Sequence, residues 1–354
     1  MNTIDIVFIY FGKEVPKYVF RNLKHLKNQF NSNNVIFASD NLLALKRAEK
    51  IGVIPFHYSL MNNELESIRK ASKLDQEFRD HYWWKTSARI LAVCEVQIHR
   101  QNAVLHLESD VVLFPEFPVE SILGFKEDIA FPVVSPSQGI ASMLFIRNAE
   151  AASKLRKMFI ETMLGDKTSS DMTILGKLVH HKEIKISIMP TLSNVEKNDD
   201  LFNSGKYDFN HRHAIGSNYE VLGGCVDGLD YGLYFLGEDP RNSRGIKRLF
   251  QNRYETNLDL RNARIVIRGN EVKIKCRDSY FRLWSMHIHS KDIRAFYFPV
   301  LKIILRFRSF QSKYGPRNLL TILRFIYLIQ FAKHLLKSFV KYVIDIVKRS
   351  KRKS

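Results

Sequence analysis

At 354 residues with 45% hydrophobic side chains, the chain can bury a sizeable α/β core, which excludes global disorder. Its formal charge of +19 at pH 7 points to an acidic partner: nucleic acid, an anionic membrane or a phosphorylated ligand. The three cysteines, Cys94, Cys225 and Cys276, lack paired spacing, which argues against a disulfide framework or a zinc knuckle. They read as reduced core thiols of a cytosolic protein.

Taken in chain order, Ile4 to Phe11 is a β-branched and aromatic run ending at Gly12, a buried first strand. Within it, the apolar run Ile6 to Phe11 is too short for the apolar core of a signal peptide and follows Asp5 rather than a basic residue. Pro16 opens a helix carrying Val19, Leu23, Leu26 and Phe30 at helical spacing, closed by the turn Asn31 to Asn34. Val35 to Ala38 is a second strand, Asn41 to Lys50 a helix stopped by Gly52, and Val53 to His57 a third strand. Met61 to Asp80 reads as a polar helix and Trp83 to Gln97 as another. Ala103 to Leu107, Ile129 to Val134 and Ile140 to Ile146 are further strands, and Ala149 to Met163 and Asp171 to Val179 further helices. Asn194 to Asn242 is rich in Gly, Asn and Asp and receives no assignment. Arg264 to Cys276 reads as a hairpin about Gly269-Asn270, and Ser279 to Trp284 as a strand. Strands alternating with helices predict a mostly parallel, Rossmann-like central sheet flanked by helices. Ligands in such sheets sit at the carboxyl ends of the strands.

That edge carries the first chemistry. Glu108-Ser109-Asp110 follows the apolar strand directly, and two carboxylates two residues apart point to one side. Hard oxygen donors of this kind suit Mg²⁺ or Mn²⁺, which can neutralise a leaving diphosphate. Late in the chain stands Met286-His287-Ile288-His289-Ser290-Lys291. Either histidine can complete a metal sphere, and the lysine can meet a phosphate as a point charge.

The composition changes after Lys291. From Asp292 to Ser354 there are 15 Lys and Arg against two Asp, so this stretch holds +13 of the net charge. Lys333, His334, Lys337, Lys341, Asp345 and Lys348 share one arc of a helical wheel, and Leu328, Leu335, Leu336, Phe339, Val343 and Ile346 the opposite one. The lysines and arginines interrupt any run long enough to span a bilayer. A basic amphipathic helix lying on an anionic membrane is therefore expected over 292–354, behind a catalytic domain over 1–291.

At these residues the chain resembles the GT-A glycosyltransferases, the superfamily of nucleotide-sugar enzymes with a DxD metal motif. The resemblance runs from about residue 3 to 291, through Ile6-Val7-Phe8-Ile9-Tyr10, the Trp83 to Arg89 helix, Glu108-Ser109-Asp110, the Gly139 to Asn148 strand, Ser169-Ser170-Asp171 and His287 to Lys291. It implies a nucleotide-sugar donor, with a UDP-sugar as the default. It also implies a divalent metal held by Asp110, Glu108 and a histidine, His289 favoured over His287 because Lys291 then follows as the phosphate contact. Glu108 stands where the family has Asp, so its contact, ribose or metal, stays open. Tyr10, Phe11 and Asp40 fall where base and ribose are held, and Arg89 is a candidate diphosphate contact, with a salt bridge as the alternative. Asp171 is either an acceptor-side base or a helix cap. Asp230 and Asp227 are further candidates in a glycine-rich loop, and Asp239-Pro240-Arg241-Asn242 is similar to a short active-site motif of bacterial members. With the tail, the resemblance implies a saccharide or lipid-linked saccharide acceptor and bacterial polysaccharide or lipopolysaccharide synthesis at the inner face of the cell membrane. Nucleic-acid binding, a non-catalytic scaffold and a metal-dependent nucleotidyl- or phosphotransferase are the competing readings. The first is disfavoured because the basic residues concentrate in the tail rather than on an aromatic-studded sheet.

Overall fold

The computed structural model describes residues 3–30, 33–60, 63–74, 77, 82–135, 137–193, 214–239, 249–250, 258, 260–276 and 279–314. Its first half alternates strands and helices: β1 (Ile4–Ile9), α1 (Lys17–Gln29), β2 (Val35–Ser39), α2 (Leu42–Glu49), β3 (Ile54–His57), α3 (Asn63–Ala71), α4 (Tyr82–Arg100) and β4 (Ala103–Leu107). There follow β5 (Val111–Leu113), β6 (Ile129–Phe131), β7 (Val133–Ser135), β8 (Gln138–Gly139), β9 (Met143–Ile146), α5 (Ala149–Gly165), α6 (Asp171–Val179) and β10 (Ile186–Ile188). The last part holds α7 (Tyr219–Leu222), α8 (Asp230–Leu236), β11 (Ala263–Arg268), β12 (Glu271–Cys276), β13 (Ser279–Arg282), β14 (Ser285–His287) and α9 (Phe298–Tyr314).

Seven strands form the central sheet in the order β10-β6-β9-β4-β1-β2-β3. All neighbours are parallel except where β9 runs against β4 and β6. This is the mostly parallel sheet, flanked by helices, that the sequence predicts. β1 is buried along its whole length because helices cover both faces. Val7, Ile9, Ile36 and Val104 pack on the side of α4, α5 and α6, whereas Ile6, Phe8, Phe37 and Leu105 pack on the side of α1 and α2. The acid inside β1, Asp5, is fully buried and meets Arg100 Nε at 3.0 Å, with Asn34 and Asn102 donating to the same carboxylate. A buried charge is tolerated when it is paired in this way.

Three sequence expectations differ in detail. The strand over Ile129 to Val134 is two strands, since Pro132 between β6 and β7 has no N–H to give to a ladder. The helix expected over Met61 to Asp80 ends at Ala71 among the described residues. The unassigned middle section contributes α7 and α8; 194–213 and 240–242, with most of the Asp239-Pro240-Arg241-Asn242 motif, lie outside the described residues.

The chain divides into two compact units, 1–306 and 307–354. The division falls later than the composition suggests, because the start of the basic segment is still core. Phe296 stacks on Tyr18 at 5.0 Å, Phe298 packs against Phe114, and Leu301 and Leu305 are fully buried. Of the second unit the described residues are 307–314, within α9; the amphipathic stretch from Asn318 lies outside them. No helix among the described residues is long and apolar enough to cross a membrane.

Candidate active site

The carboxylate pair stands at the carboxyl edge of the sheet. Glu108 N–H donates to Ser142 O at 3.0 Å as β4 ends, and Val111 N–H donates back to Glu108 O at 2.9 Å, closing a tight turn that lifts Asp110 out of the sheet. One row of α1 holds this turn. Asn22 Nδ2 donates to Ser109 O at 3.2 Å and Val111 O at 2.7 Å, His25 Nε2 meets Leu113 O at 3.1 Å, and Gln29 Nε2 donates to Phe114 O at 2.6 Å. Three side chains at positions i, i+3 and i+7 lie along one face of a helix and can read successive carbonyls of one strand. Sequence reasoning missed them. The available signal was Asn22, a polar residue within the Val19, Leu23, Leu26 stripe.

β5 then pairs antiparallel with β14, setting His287 opposite Val111, and Ile288 N–H donates to Asp110 O at 2.7 Å. The ladder carries the late histidine to the carboxylates. His287 Nε2 lies 3.1 Å from Asp110 Oδ2 and 3.2 Å from Glu108 Oε2. Among the described residues, Glu108, Asp110 and His287 form a group whose donor atoms all lie within 4.8 Å of one another. His287 Nδ1 faces Gly228 O at 3.1 Å. A carbonyl can only accept, so Nδ1 carries the proton and donates it. Nε2 then has its lone pair towards two carboxylate oxygens, an arrangement that calls for a cation or a second proton between them. Two hard oxygens and one imidazole nitrogen, with the other ring nitrogen tied to a carbonyl, fit a small divalent ion.

His289, the histidine favoured from the sequence, is placed differently. β14 ends at His287, and the chain turns as His289 N–H donates to His287 O and Lys291 N–H to Ile288 O. Strand alternation therefore stops, and the His289 ring stacks on that of His287 at 3.8 Å rather than extending beside it. Lys291 does reach the cluster: its ammonium contacts Asp110 Oδ2. Its φ of 52° is left-handed, a conformation that non-glycine residues seldom adopt away from turns and functional sites.

Arg89, on α4, pairs with Glu108 and lies 3.5 Å from Asp171 Oδ2. It therefore ties the metal-type cluster to the start of α6. Burial raises the Glu108 carboxyl, but the Arg89, His287 and Lys291 charges prevail and hold it down at about 2. Asp171 is 5% exposed; burial pushes its pKa up and Arg89 only partly offsets the rise. The cap of α6 is Ser170, which accepts from Thr173 N–H, so Asp171 is the first helical residue and not the cap. His106, two residues before Glu108, is fully buried against Val7 O, and burial keeps it neutral with a pKa of about 3.

The remaining candidates fall in two places. Tyr10, Phe11 and Asp40 lie together where β1 and β2 end. Ser39 Oγ donates to Tyr10 O at 2.7 Å, Gly12 N–H donates to Asp40 Oδ1 at 3.1 Å, and Phe11 packs on Tyr58 at 5.6 Å. β1 and β4 are adjacent and register Phe8 with Leu107, so Tyr10 and Ser109 each follow two residues beyond that pair, at the same edge. Asp230 opens α8 and is 4% exposed. Asp227 is fully buried, and burial pushes its carboxyl up to about 6 against the pull of its hydrogen bonds and of His287.

No protein-family profile and no curated protein matches the chain. Comparison of folds finds similarity to several solved glycosyltransferases. Mouse xyloside xylosyltransferase 1 is 10% identical with a TM-score of 0.39, over 60% of this chain and 93% of that one. The PaToxG glycosyltransferase is 10% identical with a TM-score of 0.34, over 50% and 68%. The WbbM bifunctional glycosyltransferase is 12% identical with a TM-score of 0.35, over 60% of this chain and 44% of that one. The overlaps cover 50–60% of this chain.

Proposed function

We propose that the chain is a metal-assisted glycosyltransferase, moving a sugar from a nucleoside-diphosphate sugar, by default a UDP-hexose, to a saccharide acceptor. The observation that carries the reading is the convergence of Glu108, Asp110 and His287 at the carboxyl edge of the sheet, with Lys291 and Arg89 on the same carboxylates. In this reading Asp110, His287 and Glu108 would hold Mn²⁺ or Mg²⁺. Such an ion, when bound, offsets the charge that develops on a departing diphosphate.

The other roles belong to the chain's own side chains. Lys291 would offer its ammonium to a phosphate oxygen. Arg89 keeps Glu108 ionised and oriented. The Tyr10 and Phe11 rings would stack against the base, and the Asp40 oxygen not used by Gly12 would accept from a ribose hydroxyl. As the anomeric carbon–oxygen bond to the diphosphate breaks and the bond to the acceptor oxygen forms, the acceptor proton needs a base. Asp171, with its raised pKa and its link through Arg89 to Glu108, is the candidate, and Asp230 is the alternative. The basic segment beyond residue 314 would hold the enzyme at an anionic membrane, beside a lipid-linked acceptor at the inner face.

A thermal-shift screen of UDP-, GDP-, CMP- and dTDP-sugars, each with Mn²⁺ and with EDTA, tests the reading. A ligand of the folded state raises Tm by mass action. The expected result is a shift for one nucleotide class that disappears with EDTA and in Asp110→Ala, with nucleoside diphosphate released on turnover. Pyrophosphate as product would indicate a nucleotidyltransferase instead, and no shift with any donor would remove the proposal.

A further inference from the structure

The loop from Asp227 to Gly232 makes more contacts with β14 than its own stability requires. Asp227 Oδ1 accepts from Tyr231 N–H at 3.1 Å and Oδ2 from Gly232 N–H at 2.7 Å, which satisfies free amides in the first turn of α8. A helix cap would need nothing further. Oδ2 also accepts from His287 N–H at 2.9 Å, and Asp227 N–H donates to Ser285 Oγ at 2.9 Å. The next residue, Gly228, takes the His287 Nδ1 proton on its carbonyl at 3.1 Å. At the carbonyl of the same histidine, a Cβ on Gly232 would stand 1.8 Å from His287 O, so no side chain fits there. Backbone N–H and ring Nδ1 of one histidine are thus both hydrogen-bonded by one six-residue loop, which also packs closely against its carbonyl.

We propose that Asp227 is a positioning residue for His287: it clamps the histidine's backbone so that Gly228 fixes the ring tautomer and Nε2 faces Asp110 and Glu108. The proposal rests on the reading of those three side chains as a divalent-ion site. It assigns Asp227 no contact with substrate, and it explains a buried carboxylate that the transfer chemistry does not use. The partners of Asp227 are three N–H donors, which only a carboxylate can accept together. An asparagine of the same shape would turn its own N–H₂ towards one of them and lose that contact.

The test is Mn²⁺ binding by the full-length protein, followed by the EPR signal of free Mn²⁺, with the ring ¹⁵N spectrum of the metal-free protein as a second readout. Asp227→Asn is expected to bind Mn²⁺ about 10- to 100-fold more weakly than the unaltered chain, the usual consequence of losing a partner that orients a ligand. It is also expected to change the His287 ring resonances. A merely structural role would lower Tm and leave both readouts unmoved. Should Asp227→Asn fail to fold, Ser285→Ala loosens the same loop, and a several-fold weakening in the same direction is expected. Unchanged Mn²⁺ affinity with an unchanged His287 signal would overturn the proposal and leave the ion site standing. Failure of the unaltered chain to bind Mn²⁺ at all would overturn both, so the two failures are told apart.

Discussion

Lys291 places its ammonium on the Asp110 carboxylate, the group a divalent ion would also use, so under the proposed function the two cations would compete. Lys291→Met keeps the length of the side chain and removes its charge. The lysine side chain is 25% exposed and the aspartate 7%. That places the pair between an exposed ion pair, worth at most about 1 kcal/mol, and a buried one, whose breaking costs roughly 3–5 kcal/mol. An intermediate value of about 1.5 kcal/mol is appropriate. This contribution exists in the metal-free protein and is given up when an ion takes Asp110. Removing it therefore destabilises only the metal-free state, and the same amount reappears as tighter binding. About 1.4 kcal/mol is a factor of ten, so Lys291→Met should bind Mn²⁺ roughly tenfold more tightly in the absence of nucleotide. Its Tm in EDTA should fall by about 3 °C, a gap that saturating Mn²⁺ closes. Binding of a nucleoside diphosphate with Mn²⁺ present should weaken, because the ammonium is then missing from the phosphates. Calorimetric titrations of metal alone, and of nucleotide at saturating metal, measure the two effects separately. Unchanged or weaker Mn²⁺ binding by Lys291→Met would refute the competition.

Two further outcomes follow from other parts of the molecule. Burial lowers the His25 pKa, with the bond to Leu113 O opposing it, so the folded state favours the neutral ring more than the unfolded state does. Its contribution is present above the unfolded value of about 6.5 and is lost as pH falls below it; His25→Gln should therefore flatten the urea-midpoint profile between roughly pH 6.5 and 5, and an unaltered slope would contradict the assignment. In the tail, Lys333, Lys337 and Lys341 together changed to Gln should weaken binding to phosphatidylserine vesicles by up to about 100-fold at low salt, from roughly 1 kcal/mol per charge. Equal cosedimentation of the variant and the unaltered chain would remove the membrane reading of that segment.

What was legible in the sequence was local. The run from Ala103 to Leu107 matches β4 residue for residue, and Asp171 to Val179 matches α6, because burial pattern and capping residues are written within each segment. The carboxylate pair was legible for the same reason, two acids directly after a buried strand. Choosing between His287 and His289 was not a local problem. It depended on where β14 ends and on a pairing with β5 that spans 177 residues between His287 and Asp110. Asp227 is a candidate from sequence, but its contact with His287 is not legible there, because a Gly-Asp loop reads the same whether its carboxylate caps a helix or grips a distant strand. For Arg89 the sequence leaves two readings open, a diphosphate contact and a salt bridge. The structure gives its guanidinium to Glu108 and Asp171, the salt-bridge alternative, here inside the site.

That placement of Arg89 bears on how the site would select an anionic donor. Three carboxylates, Glu108, Asp110 and Asp171, are joined through contacts to two cations, Arg89 and Lys291, leaving one negative charge. The Asp227 charge is met by three backbone amides rather than by the cluster. A site of this balance repels a diphosphate. One divalent ion would reverse the sign and would leave Lys291 to offer its charge to the phosphates. Because charges in a site sheltered from water act strongly on one another, the reversal would make nucleotide binding conditional on metal. Arg89 is central to that conditionality. Were it free to meet the diphosphate, it would offer the nucleotide a direct positive contact without an ion. Committed to Glu108 and Asp171, it would leave the switch of sign to the metal, and donor binding under the proposed function would then depend on that ion.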